Sequence, residues 1–327
     1  MNRRAAALLA AVGLTGCGGY ADFSLPPRHG DRAENPAIEM RAEPVIGRGT
    51  FADALNPSVA KSGGRYLNLY SAFDGHTWRT VLAESADGLA WHDRGVILSP
   101  DPRTWEGGYI AANGSAVVLG DRLLYWYQAG LKSSPQIGLA ERDATGAWRK
   151  DPRPVLESGP YGSWDEDGVA DPYVCRQDSW FYLYYLGQDR ARPTRQRIGV
   201  ARSRDGRRWE KLRTNPVLES GGPGAFDEAA IGEPAVWIWR GSYYMLYTGT
   251  NFAGERALGL AVSGDGVRWE KLPAVFRGAQ EWNSKVVCDP SVLADGDAVR
   301  VWFGGGDVAS PDENLHGQIG YGTLTAK

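Results

Sequence analysis

The sequence predicts an all-β chain folded as a five-bladed β-propeller with four-stranded blades, closed by an N-terminal strand that completes the last blade. Three observations predict it. Short openers recur at a near-constant period: NPSV at Asn56, NGSAVV at Asn113, DPYVC at Asp171, EPAVW at Glu233 and DPSVL at Asp289, spaced 57, 58, 62 and 56 residues apart. A fixed period of this length marks a solenoid or a propeller. The composition, with 43 Gly, 19 Pro, 13 Trp and 11% aromatic residues in 327, favours many short strands and turns over long helices. Finally, the fifth repeat ends straight after its third strand, and AEPVIGRG at residues 42–49 matches the missing fourth.

Taken in order, the chain begins with a targeting segment over residues 1–17. Arg3 and Arg4 form its charged start, AAALLAAVGL its apolar core, and LTGC ends at Cys17. That ending resembles the bacterial lipobox, whose cysteine receives lipid and becomes the new N-terminus. The apolar run is too short to remain as a membrane-spanning helix. Gly18 stands where many inner-membrane lipoproteins carry Asp, which points to the periplasmic face of the outer membrane. Residues 18–37, rich in Gly, Pro and charge, read as a flexible tether, and 38–327 as the propeller.

Each repeat has the same parts. The opener leads into an aromatic second strand (RYLNLYS, RLLYWYQ, WFYLYYLG, SYYMLYTG, AVRVWFGG), apolar on both faces as a strand between packed sheets must be. A third strand follows (TVLAES, IGLAER, IGVARS, LGLAVS, IGYGTL), then a hairpin turn at SADGLAW, SRDGRRW and SGDGVRW. Asp-Gly supplies the positive φ that tight hairpins need, so these aspartates are read as turn residues. GVILSP, RPVLESG, NPVLESG and PAVFRG are the expected fourth strands. Cys175 and Cys288 open repeats that are not neighbours in the ring, and are expected to stay unpaired and buried.

The net charge of −3 gives no basic excess, so nucleic acid is not an expected partner. Four His and no clustered Cys/His spacing give no zinc signature. No cofactor is expected, with an axial calcium ion left open, and a monomer is expected.

In a propeller the openers are innermost, so Asn56, Asn113, Asp171, Glu233 and Asp289 should converge at the axis. Carboxyl groups crowded in a partly dry pocket acquire separated pKa values, which lets one act as acid and another as base. One Asp-Pro pair is an ordinary strand-entry turn; three in register on a ring make a candidate site. The openers, the SxDGxxW turns and the PVLESG…SWD connectors resemble the five-bladed β-propeller glycosidase superfamily, which includes glycoside hydrolase families 32, 43, 68, 117 and 130. The resemblance implies an Asp base, an Asp that tunes pKa and a Glu or Asp acid on successive inner strands. By position Asp171 matches the tuning aspartate and Glu233 the acid. The base should lie one repeat earlier, where Asn113 stands, so Asp289 is the expected base.

Further acids in the preceding loops (Asp53, Glu106, Asp165, Asp167, Asp227, Glu228) are expected as loop or capping residues. Trp105 and Trp164 in the same loops are candidate sugar-stacking surfaces. Arg197, Arg256 and His316, which break the repeat pattern, are candidates for an anionic group, and Asn56 and Asn113 are candidate substrate contacts. The reading is a glycoside hydrolase acting on a glycan or oligosaccharide. The alternatives are a non-catalytic glycan-binding propeller and a glycoside phosphorylase, which needs no protein base.

Overall fold

The computed structural model describes residues 19–309 and 312–327; the expected signal segment and Cys17 lie outside the described residues. The chain is all-β, with a single 3₁₀ turn at Glu281–Asn283 among the described residues. Two short strands come first, β1 (Tyr20–Ala21) and β2 (Ala37–Met40). The first repeat holds β3 (Asp53–Leu55), β4 (Val59–Ser62), β5 (Arg65–Phe73), β6 (Trp78–Ser85) and β7 (His92–Leu98). The second holds β8 (Ile110–Leu119), β9 (Arg122–Leu131), β10 (Ser134–Arg142) and β11 (Trp148–Lys150). The third holds β12 (Gly168–Gln177), β13 (Trp180–Gln188), β14 (Gln196–Ser203) and β15 (Glu210–Leu212). The fourth holds β16 (Ala230–Trp239), β17 (Ser242–Thr250), β18 (Arg256–Ser263) and β19 (Glu270–Phe276). The fifth holds β20 (Val286–Asp295), β21 (Ala298–Gly306) and β22 (Gln318–Thr325).

Within each repeat the strands pair antiparallel in chain order, as at β12–β13–β14–β15. Short parallel contacts join β6 to β8 and β18 to β20. The core is a series of clusters between consecutive repeats. Leu124 and Trp126 of the second pack with Val174 and Leu183 of the third, and Tyr70 and Val81 of the first pack with Trp302 and Ile319 of the fifth. Buried aromatics of this kind cost about 3–5 kcal/mol each when cut to alanine.

The SxDG turns are pinned across repeats. Trp126 Nε1 donates to the Gly206 carbonyl, Tyr184 Oη to Gly266 and Trp302 Nε1 to Gly88, at 2.8, 2.7 and 2.8 Å. Gly206 has φ +74, and a Cβ there would lie 2.7 Å from Trp126. The turn therefore needs glycine for both its backbone conformation and its neighbour. Asp205 Oδ1 accepts the N–H groups of Arg207 and Arg208, as the turn reading expects. Cys175 and Cys288 are free thiols.

Two expectations change. RPVLESG and NPVLESG are not the fourth strands: β11 and β15 lie just upstream, and Leu156 and Leu218 make only isolated bridges to Ile137 and Ile198. Pro154 and Pro216 lack the N–H a ladder requires. The same shift occurs at the front. β2 pairs antiparallel with β22 (Ala37↔Thr325 to Met40↔Gly322), while Ile46 of the expected strand makes an isolated bridge to Ile319.

The expected tether is packed rather than free from Tyr20 onwards. Tyr20–Ala21 pairs in parallel with Lys211–Leu212, and Leu25 is 1% exposed. The Ala33 N–H donates to Tyr244 Oη at 2.7 Å.

Candidate functional site

Asn56, Asn113, Asp171, Glu233 and Asp289 have φ between +47 and +52, one at the same place in every opener. The strand register breaks there, between Ala112 and Ser115, Ala170 and Tyr173, Gly232 and Ala235, and Cys288 and Ser291. Each opener thus carries a β-bulge, which explains the motif. Proline lacks a ladder donor and is tolerated where the ladder is interrupted. Asn and Asp adopt the left-handed region at modest cost; Glu233 pays more, and such strain gathers at functional sites.

The bulges bring the five side chains together. The Asn56 side-chain amide donates to Asp289 Oδ1, and its backbone N–H to Asp289 Oδ2 at 3.3 Å. The Asp289 N–H donates to Glu233 Oε2 at 3.0 Å and to Thr248 Oγ1 at 3.1 Å. Asn113 Nδ2 reaches Asp171 Oδ1 at 3.4 Å, with its Oδ1 fixed by Ser71 Oγ at 2.9 Å. Burial and then the charge of Glu233 push the Asp171 carboxyl up to about 8. Burial and Glu233 likewise hold Asp289 well above the carboxylate range.

All five residues line one cleft that also takes in Tyr109, Gln128, Lys132, Gln188, Arg256 and Asp312. Its mouth lies where the first strands begin and the second strands end. On its other side the five residues border a narrower axial space with Pro57, Ser58, Tyr173 and Ser291.

The roles expected of several residues change. Asp289 is 6% exposed and accepts from Asn56 and the Cys288 thiol, and burial and then Glu233 hold its carboxyl pKa well above the usual range. A general base must be ionised and within reach of the proton it takes, and both causes work against ionisation of Asp289. Trp105 and Trp164 lie outside the cleft lining. Trp164 lies over the backbone of Gly187 and Gly199 and packs on Tyr185, and Trp105 sits over Gly138 against Tyr127. At Trp164 paired glycines in the second and third strands leave the slot the ring fills, and Phe226 and Trp282 repeat the arrangement at Gly249–Gly259 and Gly305–Gly320; Trp105 has Gly138 alone.

Arg197 is buried in an ion pair with Asp189 at 2.8 Å and donates to the Trp164 carbonyl, away from the cleft lining. His316 is exposed, hydrogen-bonded to Asp307 and also outside the lining. Arg256 does line it. Although burial opposes its charge, Glu233 and Asp312 outweigh that and hold it more firmly cationic.

The loop acids are structural. Glu106, Asp165 and Asp227 each accept from a second-strand tyrosine (Tyr127, Tyr185, Tyr247) and a fourth-strand lysine (Lys150, Lys211, Lys271). Asp53 accepts the N–H groups of Asn314 and Gly317.

Sequence reasoning missed Tyr109, Lys132, Asp312 and Glu313. Glu313 accepts from both Tyr109 and Lys132, and Asp312 pairs with Arg256 at 2.6 Å. The available signal was loop length: 307–317 is the longest connection between a second and a third strand. Glu233, Cys288 and Asp289 place potential ligand atoms within 4.8 Å of one another. Burial, then Asp289 and Glu233, raise the Cys288 thiol well above its usual range, and the Arg256 charge is felt at the cluster.

Bulged opening strands thus bring clustered carboxyl groups to one polar cleft. The model of the glycosyl hydrolases family 32 N-terminal domain matches residues 65–222. An uncharacterized protein of Mycobacterium tuberculosis (strain ATCC 25618 / H37Rv) is 29% identical over 232 residues, 66% of this chain and 75% of its own. A 1,2-beta-oligomannan phosphorylase of Thermoanaerobacter sp. (strain X514) is 26% identical over 139 residues, 41% of this chain and 43% of its own. Among solved structures, a family 117 glycoside hydrolase produced by the marine bacterium Zobellia galactanivorans superposes with a TM-score of 0.66 at 18% identity, covering 92% of this chain and 90% of that one. Beta-1,2-mannobiose phosphorylase from Listeria innocua gives 0.69 at 12% identity, covering 89% and 97%. Together these make the chain similar to the propeller glycosidases in fold and resolve no single family among them.

Proposed function

We propose that this chain is a glycoside-cleaving enzyme, a hydrolase in the main reading, built as a closed five-bladed propeller. The blade count is supported by the five bulged openers at one φ, and closure by the contacts of the fifth repeat with the first: Asn56 on Asp289, Val59 N–H on Ser291 Oγ at 2.9 Å, and Trp302 on Gly88. β2, lying along β22, is the strand that completes the last blade.

One observation carries the activity: Asp171 opens on the cleft beside Glu233, and burial, then the Glu233 charge, push its carboxyl up to about 8. That is the arrangement needed to protonate a leaving glycosidic oxygen. The acid role belongs to the Asp171–Glu233 pair, since protons in a coupled cluster belong to the cluster. Asp289 positions Asn56 and the Glu233 carboxyl, and Arg256 and Lys132 orient polar substrate groups. Incubating the protein with β-linked oligosaccharides in phosphate-free buffer tests this: free sugar must appear, and must not with Glu233→Gln.

A second reading is phosphorolysis. It is favoured by Asn56 and Asn113 at positions where a base is expected, and by two cations in the cleft. Cleavage that starts only when inorganic phosphate is added would select it.

The LTGC sequence supports a lipid anchor at Cys17 on the periplasmic face of the outer membrane. Acyl mass on the Cys17 peptide of the membrane fraction tests that reading.

A further inference from the structure

Residues 19–40 cross the end of the molecule opposite the cleft. Lys211 N–H donates to the Gly19 carbonyl at 2.7 Å, and Arg213 N–H to Ala21 at 3.0 Å, on the outermost strand of the third repeat. Leu25 then plugs against Gly266 and Tyr184, its N–H donating to the Asp265 carbonyl at 2.9 Å, and Arg28 N–H donates to Gly264 at 2.8 Å. Tyr243 Oη donates to the Pro26 carbonyl, and Gly30 lies so close to Arg240 that a Cβ would sit 2.0 Å from its carbonyl oxygen. Turns 204–208, 240–241 and 264–268 all join strands at the end away from the mouth, where Tyr109, Lys132 and Arg256 line the cleft. A ten-residue strand such as β12 separates the two ends by about 30 Å.

We propose that this strapped end is the surface that lies against anionic phospholipid headgroups, so that the cleft opens away from the bilayer. The proposal rests on the anchor reading for Cys17. From Cys17 to the pinned Gly19 the backbone spans at most about 7 Å, so the body cannot swing its mouth to the membrane. The end beside Gly19 also has the chemistry of a headgroup contact. Trp180 is stacked by the guanidinium groups of Arg202 and Arg204 at 4.5 and 3.9 Å. Arg202, Arg208 and Arg268 are paired with Glu210, Asp205 and Asp265, and the Arg208 and Arg268 side chains are still about nine-tenths exposed, so headgroup phosphates can reach them. Long cationic stems and an amphipathic indole suit the boundary between headgroups and water.

The test uses the mature chain carrying Cys175→Ser, coupled through Cys17 to maleimide-phosphatidylethanolamine in phosphatidylglycerol-containing vesicles. Hydrogen exchange is then compared with the uncoupled protein. Amides at 204–208 and 264–268 slow by at least about threefold, while 131–134 and 251–255 keep their solution rates. Slowing at the mouth loops, or at neither end, overturns the proposal. Leu25→Asp, which unseats the strap and lengthens the free tether, abolishes the protection at the strapped end while the variant remains coupled; protection that persists overturns the strap's part in it. Absence of acyl mass on Cys17 in the cell overturns the anchor reading itself, and is distinguished from a wrong orientation because the vesicle coupling is chemical.

Discussion

Glu233 and Asp289 meet across neighbouring bulges: the Asp289 N–H donates to Glu233 Oε2 at 3.0 Å, and carboxyl oxygens of the two lie within 4.8 Å. That closeness leaves no room for the water an inverting pair holds between its carboxyl groups, which needs about 6.5–9.5 Å. The contact therefore serves to set proton occupancy. Each carboxyl that ionises makes the next ionisation harder, and Glu233 is the neighbour that both Asp171 and Asp289 feel.

Loss of either member of the acid pair removes turnover and leaves the fold. Glu233→Gln and Asp171→Asn each lower kcat by about 10²–10⁴-fold, the usual worth of a positioned proton donor. Melting temperatures stay at or above that of the parent, because a buried carboxyl crowded by another is replaced by an uncharged group of the same shape. Sugar release and thermal melts on the same preparations check both halves.

Stability has a pH slope of defined sign. The carboxyl pKa values of Asp171 and Asp289 are raised in the folded chain, so the folded state binds more protons than the unfolded one between about pH 4 and pH 8. The stability these groups contribute is complete below the unfolded value and is lost as pH rises through the folded one. Urea midpoints should fall from pH 5 to pH 8.5, and Asp171→Asn should flatten the fall. A midpoint that rises over this interval contradicts the proton assignment.

The period, the openers and the turn chemistry were legible in the sequence because each is local: Asp-Pro and Asp-Gly carry their backbone preferences with them, though the bulge at each opener was not foreseen. The partners of side chains were not. Arg197 and Arg256 occupy the start of the third strand in successive repeats, yet Asp189 takes one into an ion pair beside Trp164 and Asp312 holds the other in the cleft. Trp164 reads as a sugar platform until the glycines beneath it, some 23 and 35 residues on, are seen as its seat. Glu313 meets Lys132 from 181 residues away, a pairing that only the tertiary fold brings about.

The loop aromatics should therefore report on stability rather than on binding. Trp164→Ala empties a slot between strands and should cost about 3–5 kcal/mol without altering the KM of the folded fraction. Gly199→Ala should destabilise as well, since its Cβ would lie 2.4 Å from the Trp164 ring, whereas Gly222→Ala, with nothing within 4 Å, should be neutral. Chemical denaturation separates the three. A KM change in Trp164→Ala at full folding would return that ring to the substrate site.

The repeated acid–lysine–tyrosine contacts make the last prediction. Lys211 Nζ lies against Asp165 Oδ2 and also donates to the Glu157 carbonyl at 2.7 Å, with side chains 7% and 0% exposed. Burial lowers the pKa of this lysine despite the attraction of Asp165, the sign of an ion pair whose desolvation outweighs its Coulomb gain. Lys211→Met leaves Asp165 as an uncompensated buried charge and should cost about 3–5 kcal/mol. Adding Asp165→Asn to it removes the orphaned charge and should return most of that loss. The Lys271–Asp227 pair is built alike but its lysine is 29% exposed, so water solvates what the mutation strands and Lys271→Met should cost less. Denaturation midpoints of the two single variants and the Lys211–Asp165 double variant decide it: equal losses at Lys211 and Lys271, or no recovery in the double, would mean that burial is not what sets the worth of these pairs.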